Sequence, residues 1–259
     1  MLYSACIDML FGEHDFYDRP ALVRQSGIEA AEFWKWSNKD LPVLHQKLRE
    51  NRLAVSIFNL DSADERLSYD LSRGILNAGR AEELVAALKE TAPVYRALDA
   101  SGIILLVGES LPLPKEEQLQ NVLTCLQAAA RVAEQEELQL VVEALNDIDR
   151  PNYFMPRAKD LFELVRQVNS PRLKVLLDLY HEQMMEGDLF SVIRENIDLI
   201  GHIHIADVPG RHQPGTGNVP YGDLLALLKE LNYEGYCGFE FRSTLSDAQT
   251  ADFLRRYIQ

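Results

Sequence analysis

Four side chains suited to binding a hard metal ion stand near the ends of four short apolar segments in the second half of the chain. They are Glu143 in LQLVVEAL, Asp178 in LKVLLDLY, His204 in IGHIHIAD and Glu240 in GYCGFEF. The intervals of 35, 26 and 36 residues are about the length of one strand, one helix and two loops, so repeated βα units could bring the four together. This spacing predicts one metal site with at least two carboxylates, and therefore an enzyme.

The types of these side chains narrow the choice of ion. Oxygen ligands with a single imidazole suit Mg²⁺ or Mn²⁺ better than zinc, whose sites favour nitrogen and sulfur. The structural alternative is that each carboxylate faces an arginine or a helix N-terminus. Ionised carboxylates in apolar surroundings cost several kcal/mol each unless a cation or donor compensates them, so three of them at successive strand ends favour a shared cation. We therefore predict Glu143, Asp178, His204 and Glu240 as metal ligands.

Three more side chains near this site have candidate roles. His202 alternates with His204, so both imidazoles point to the same side of a strand, and we predict a structural role for His202. His181 lies three residues after Asp178 in DLYHEQ and could donate to a substrate oxygen, although a solvated loop histidine fits this sequence equally well. Arg211 lies in the Gly- and Pro-rich segment VPGRHQPGTGNVPY, where it could anchor a carboxylate or carbonyl of the substrate unless it is a surface arginine.

The elements that would position these side chains alternate regularly along the chain. Eight apolar runs separated by amphipathic sequence predict parallel strands buried on both faces. They span Tyr3–Met9, Ala30–Phe33, Leu53–Asn59, Gly102–Gly108, Leu138–Leu145, Leu173–Tyr180, Ile200–Asp207 and Gly235–Phe241. No glycine-rich phosphate fingerprint follows the first run. A closed (β/α)8 TIM barrel, one domain over residues 1–259, is therefore favoured over an open doubly wound sheet, and its catalytic groups should stand at the carboxyl ends of the strands.

Helix signals lie between the predicted strands. Asn38 is predicted as the N-cap of the second helix. Ser246 and Gln249 have the spacing of a capping box at the start of the last helix. The segment Gly79–Asp99 also has a helical pattern, but Pro93 within it should kink or split that helix.

Composition limits the partners that the protein could bind. The 40 acidic and 26 basic side chains give a net charge of −14 and a pI of about 4.9, which disfavours nucleic-acid phosphates and acidic membrane surfaces. Cys6, Cys125 and Cys237 are odd in number and far apart, so we expect free thiols in a reducing compartment. No apolar run approaches the roughly 18 residues that a membrane helix needs. These features predict a cytoplasmic protein without a membrane or nucleic-acid partner.

Two long segments closely resemble the hydroxypyruvate isomerase family, within the wider group of xylose-isomerase-like barrels. They are DLYHEQMMEGDL at 178–189 and IADVPGRHQPGTGNVPY at 205–221, and the shorter segments VEALND and GFEF agree with the same family. The resemblance extends over most of the chain and is densest from residue 141 onward. It implies that Glu143, Asp178, residue 204 and Glu240 hold a divalent metal, with the two glutamates acting as acid and base.

The resemblance also implies a reaction in which an enediolate lies between a keto acid or 2-oxo sugar acid and its isomer. Two departures leave the substrate open. His stands at position 204, as is usual in ketose 3-epimerases, where hydroxypyruvate isomerases often have Gln. The segment between Asn59 and Arg80 is acidic and Ser-rich rather than Gly- and Trp-containing. The alternative to a sugar-acid isomerase is therefore a ketose 3-epimerase; either would take a small carbohydrate or keto acid as its partner.

Two other classes fit the sequence less well. A zinc-dependent DNA-repair endonuclease of the same superfamily needs several metals and many histidines, whereas this chain has six His and a strongly negative charge. A non-catalytic barrel that keeps only ligand binding is opposed by the intact acids at the predicted ligand positions. Relatives of this kind are commonly dimers or tetramers, so we expect a homodimer or homotetramer.

Overall fold

Eight parallel strands form a closed barrel in the computed structural model, which describes residues 1–259. The strands are β1 (Leu2–Cys6), β2 (Ala30–Phe33), β3 (Ala54–Asn59), β4 (Ile103–Leu106), β5 (Leu140–Glu143), β6 (Leu173–Asp178), β7 (Ile200–Ile205) and β8 (Tyr236–Phe239). Each strand pairs with its neighbour in sequence, and β1 pairs with β8 to close the barrel, with Ser4 opposite Gly238. The predicted (β/α)8 TIM barrel and its eight strands are confirmed.

Ten helices cover the outside of the barrel. They are α1 (Arg19–Gln25), α2 (Leu41–Glu50), α3 (Glu65–Arg73), α4 (Arg80–Ala97), α5 (Lys115–Glu136), α6 (Ala158–Val168), α7 (Leu179–Met184), α8 (Leu189–Asn196), α9 (Tyr221–Glu230) and α10 (Asp247–Tyr257). None of them combines the length and the hydropathy that crossing a lipid bilayer requires.

The helix predictions are partly corrected. Helix α4 continues through Pro93, so of the predicted kink or split the split is wrong. A proline removes one backbone donor, and the bonds on either side of it keep the helix together. Helix α2 is capped by Asp40, whose carboxylate accepts a hydrogen bond from the Val43 amide at 3.1 Å, rather than by Asn38. The capping box of Ser246 and Gln249 is confirmed.

The interior of the barrel is divided into an apolar side and a polar side. Ile57, Ile104, Val141 and Leu176, from β3 to β6, form a separate buried cluster inside the barrel. The large hydrophobic core, of 66 buried residues, is a different cluster that also includes helix residues packed on the barrel. Inward positions on β7, β8, β1 and β2 carry imidazole, glycine, hydroxyl and carboxylate groups instead. Polar chemistry is thus concentrated on one side of the barrel.

Candidate metal and active site

The four predicted ligands converge at the carboxyl ends of β5 to β8. Glu143 and Asp178 end β5 and β6, His204 lies near the end of β7, and Glu240 directly follows β8. One donor atom from each lies within 4.8 Å of the others, and all four residues are buried. His204 Nδ1 is 3.3 Å from Glu240 Oε2, 3.5 Å from Glu143 Oε1 and 4.0 Å from Asp178 Oδ2. The strand period therefore brings these side chains together, as the sequence predicts.

The donor set fits a divalent cation. Glu143 Oε1 and His204 Nδ1 are buried and have no hydrogen-bond partner, and a buried polar atom left in that state costs about 1–3 kcal/mol. Donors that surround Mg²⁺ at about 2.1 Å in an octahedron lie about 3 Å apart when adjacent and about 4 Å apart when opposite. The observed separations fall in this range. A cation among these four residues would satisfy both atoms and offset the repulsion between the carboxylates.

The electrostatics of the cluster also favour positive charge. Burial raises the pKa of Glu143 above its usual range, although His204 opposes this shift. Burial disfavours a charged His204, but the negative charges of Glu240 and Glu32 outweigh it and hold the pKa of the imidazole well above its ordinary value. For Asp178 the order is the same: burial opposes ionisation, whereas His181 and Arg211 lower the pKa of the carboxyl. Three carboxylates around one imidazole therefore stabilise a cationic centre.

Glu32 is a site residue that the sequence left without a role. Its carboxylate is buried on β2 and accepts from Ser4 Oγ, while His202 Nε2 and His204 Nε2 lie 3.2 and 2.9 Å from its two oxygens. Burial opposes ionisation of Glu32, yet the two imidazoles hold the pKa of this carboxyl far below its usual range. Because Glu32 is the hydrogen-bond partner of His204 Nε2, the other ring nitrogen, Nδ1, points toward the cluster. His202 completes this network from one layer deeper in the barrel.

Arg211 reaches the cluster from the long loop after β7. Its Nη2 contacts Glu240 Oε2 and lies 3.2 Å from Asp178 Oδ2, and its guanidinium lies over the Tyr180 ring at 5.3 Å. Burial opposes the charged guanidinium, but the neighbouring carboxylates of Glu240 and Asp178 raise the pKa of Arg211 further. The surface alternative for Arg211 is therefore wrong.

Asp207 fixes the loop that carries Arg211. This fully buried carboxylate accepts from the backbone amides of Val208, Gly215, Gly217 and Val219, at distances between 2.7 and 3.1 Å. Four bonds to one side chain hold both ends of the loop. No sequence pattern indicates this role for Asp207, because its partners are main-chain groups.

His181 is a buried member of the site rather than a solvated loop residue. Its Nδ1 accepts from the Asn146 backbone amide at 3.1 Å, so in the neutral ring Nε2 carries the proton. That Nε2 has no hydrogen-bond partner and lies 3.6 Å from Asp178 Oδ2. Burial lowers the pKa of His181 to about 4. At neutral pH the ring is therefore an uncharged donor that faces the cluster, which suits the predicted contact to a substrate oxygen.

The cluster opens into a cavity of about 600 Å³. Glu143, Glu240 and Arg211 line it, together with Trp34 and Leu145. Trp34 is 41% exposed, and its Nε1 donates to Glu240 Oε1 at 2.8 Å, so the indole both forms a wall and holds one oxygen of this glutamate. Trp36, in contrast, is buried and donates to Thr91 Oγ1.

Known proteins resemble this chain over nearly its whole length. A family model described as xylose isomerase-like TIM barrel matches residues 20–257. The chain belongs to this family. Hydroxypyruvate isomerase of Escherichia coli (strain K12) is 33% identical over 242 residues, which cover 93% of each chain. 2-Oxo-tetronate isomerase of Cupriavidus necator is 29% identical over 263 residues, which cover 99% of this chain and 98% of the relative.

Two solved structures have the same barrel. A structure named AP endonuclease, family 2, from Brucella melitensis superposes with a TM-score of 0.91 at 27% identity over 99% of both chains. The IOLI protein with a bound zinc atom has a TM-score of 0.78 at 16% identity, over 100% of this chain and 96% of its own, and shares the fold. The predicted resemblance to hydroxypyruvate isomerases is confirmed, and the names of the sequence relatives support isomerase activity on a small molecule.

Proposed function

We propose that this protein is a divalent-metal-dependent isomerase of short keto acids or 2-oxo sugar acids. The observation that carries this proposal is the convergence of Glu143, Asp178, His204 and Glu240, with two buried donor atoms that lack partners. The sequence relatives, which act on hydroxypyruvate and 2-oxo-tetronate by name, supply the substrate class. Mg²⁺ or Mn²⁺ is the proposed ion, because three of the four donors are carboxylates.

Glu143 and Glu240 are proposed as the acid and base. Moving a carbonyl along an α-hydroxy-carbonyl compound requires removal of a proton from one carbon and its return to the next, with an enediolate between. A divalent cation held by the four residues would stabilise negative charge on the substrate oxygens. The two glutamates lie on opposite sides of the cluster in strand order and can each move one proton, a contribution of about 10²- to 10⁴-fold in rate per group.

Three other side chains prepare the site for this chemistry. Arg211 provides a fixed cation, and the Nε2–H of His181 provides a neutral donor, so both are proposed to orient substrate oxygens. Trp34 binds Oε1 of Glu240, which leaves Oε2 as the oxygen that faces His204 and Arg211. Its indole also reduces the access of water to the reacting carbons.

A ketose 3-epimerase is the second candidate, favoured by the imidazole at position 204. An endonuclease is less well supported, because the charge of −14 opposes binding to a phosphate backbone and the two sequence relatives described above are isomerases by name.

Proton transfer to solvent tests the proposal directly. Protein loaded with Mn²⁺, Mg²⁺ or Zn²⁺ is incubated with hydroxypyruvate, 2-oxo-tetronate and ketoses in deuterated water, and deuterium at carbon is located by NMR. For an acid substrate, we expect deuterium at the two carbons between which the carbonyl group moves. Inversion at the labelled carbon of a ketose would identify the epimerase instead, and no incorporation with any compound would reject both.

Glu240→Gln is the variant that tests the proposed role of Glu240 in proton transfer. It keeps the size and the Trp34 contact but removes the base, so exchange should fall by about 10²-fold or more while circular dichroism and melting stay close to wild type. Wild-type exchange in this variant would remove Glu240 from the mechanism.

A further inference from the structure

The outer part of the cavity carries a concentration of basic side chains. Lys35, Lys39, Arg73 and Arg150, none of them a member of the metal cluster, line the cavity together with the acidic residues Asp8 and Glu109. The chain as a whole has 40 acidic and only 26 basic residues. We call these four basic residues the basic rim. Their charge is opposite in sign to the net charge of the whole protein.

The ion pairs at the rim leave positive charge unneutralised. Arg73 and Arg150 share one carboxylate, because each contacts a different oxygen of Glu109. Lys39 Nζ lies 3.2 Å from Asp8 Oδ1, so this pair is balanced. Lys35 forms no ion pair, and its Nζ donates only to Ser68 Oγ, at 2.8 Å. Four basic groups thus face two carboxylates, which leaves an excess of two positive charges.

The backbone that positions Lys35 and Arg73 is closely packed. Lys35 is tied to α3 through Ser68, and Arg73 is the last residue of that helix. The next residue, Gly74, has φ +113° and lies so close to β4 that an added Cβ would be 2.0 Å from the Val107 carbonyl oxygen. The C-terminal end of α3 is therefore packed directly against the end of β4, which places Arg73 beside the cavity that it lines.

The size of the cavity indicates a ligand that reaches this rim. Its volume of about 600 Å³ lies within the roughly 300–1,000 Å³ of pockets that bury drug-sized ligands. A three-carbon keto acid at the metal cluster would leave most of that space to solvent. A longer chain could extend along Ile104 and Leu106, which line the same cavity, to the basic rim.

We propose that Lys35, Arg73 and Arg150 form an anion subsite, which binds a terminal carboxylate or phosphate on the end of the substrate remote from the reacting carbons. Planar guanidinium groups match both oxyanions with paired hydrogen bonds, and an unpaired ammonium adds a point charge. The inference rests on the proposed isomerase function and narrows its substrate class to chains with an anion at the far end.

The test compares three 2-oxo sugar acids of equal chain length that end in a hydroxymethyl, a carboxylate or a phosphate ester. We expect wild-type protein loaded with Mn²⁺ to favour one of the anionic ends in kcat/KM by about tenfold or more. The preferred end identifies the oxyanion. Lys35→Gln and Arg73→Gln should each remove most of this preference, while kcat/KM for the hydroxymethyl compound changes by less than about threefold.

Arg66→Gln is the matched control. It removes one positive charge from the same helix, but its side chain is 89% exposed and its only ion pair, with Asp70, spans 3.9 Å. This variant should keep the wild-type preference. Equal values of kcat/KM for all three ends in wild type, or the same loss of preference in Arg66→Gln, would overturn the subsite.

A binding measurement separates this inference from the proposed function. Fluorescence of Trp34, which lines the cavity, is titrated with the three compounds in EDTA-treated protein, and Trp34→Phe identifies its signal. Tighter binding of an anionic end that depends on Lys35 and Arg73, together with no deuterium exchange in Mn²⁺-loaded protein, would support the subsite and reject the isomerase. Exchange with equal binding of all three ends would support the isomerase and reject the subsite.

Discussion

At the scale of single residues, Asp178 combines a negative charge with a helix cap. Its Oδ1 accepts from the amides of Tyr180 and His181 at the start of α7, while Oδ2 faces the cluster and Arg211. Asparagine keeps the capping oxygen but not the charge. The two functions of this side chain can therefore be separated by one substitution.

Asp178→Asn should weaken Mn²⁺ binding by about tenfold or more, with exchange activity restored by excess Mn²⁺. Without metal its melting temperature should fall modestly, because the charged contact with Arg211 is lost while the helix cap remains. Asp188→Asn is the control, since Asp188 caps α8 through the same two-amide pattern away from the cluster. Calorimetric titration gives the affinities; an unchanged affinity in Asp178→Asn would exclude this residue as a ligand.

Glu32 and Gly238 test how the imidazole of His204 is positioned. An added Cβ at Gly238 would lie 1.8 Å from Glu32 Oε1, so alanine there must displace the carboxylate. We expect both Glu32→Gln and Gly238→Ala to lower Mn²⁺ affinity by about 10- to 100-fold, although neither residue is a proposed ligand. Gly222→Ala is the control, because no atom lies within 4 Å of the Cβ that alanine would add there. Wild-type titration curves for both variants would contradict the role of Glu32.

At the scale of elements, the loop after β7 depends on Asp207. Asp207→Asn replaces one of two acceptor oxygens by an NH₂ group, so two of the four loop amides lose their partner at a cost of about 1–3 kcal/mol each. We expect a lower melting temperature, faster amide hydrogen exchange between residues 208 and 219, and a higher KM, since Arg211 is carried by this loop. Asp188→Asn again provides the comparison. Unaltered exchange in the loop would show that Asp207 does not hold it.

The elements that the sequence predicts are those with a long periodic pattern. The eight strands are predictable because each is a short, mostly apolar run between amphipathic segments. Helix α3 is missing from the sequence predictions, because its segment is acidic and Ser-rich and buries only Ser68 and Leu71. Helix α7 is hidden for another reason: Asp178 reads as the end of a strand, and the same residue begins the helix.

The site residues likewise include some that the sequence predicts and some that it does not. The convergence of the four proposed ligands is predictable from their positions at strand ends, because parallel strands of a barrel end on one rim. Glu32 is different, since its partners His202 and His204 come from β7, which is brought near β2 only when β1 closes on β8. The buried environment of His181 could not be predicted, because it depends on the Asn146 amide after another strand.

At the scale of the whole molecule, the carboxylate cluster links metal binding to stability. A ligand present at about 100 times its Kd stabilises the folded state by about 2.7 kcal/mol, and each kcal/mol raises the melting temperature of a domain of this size by roughly 2–4 °C. We therefore expect saturating Mn²⁺ to raise the melting temperature by roughly 5–10 °C over EDTA-treated protein. Glu143→Gln combined with Asp178→Asn should abolish this rise. Equal melting curves with Mn²⁺ and EDTA in wild type would contradict a metal site in the barrel.

The divided interior of the barrel has a consequence for protein engineering. The buried aliphatic cluster from β3 to β6 contains none of the proposed metal ligands. It also contains none of the residues of the basic rim. Replacing rim residues to accommodate other end groups should therefore alter selectivity with little loss of thermal resistance. Libraries aimed at new sugar acids can vary Lys35, Arg73 and Arg150 together while Ile57, Ile104, Val141 and Leu176 are kept constant.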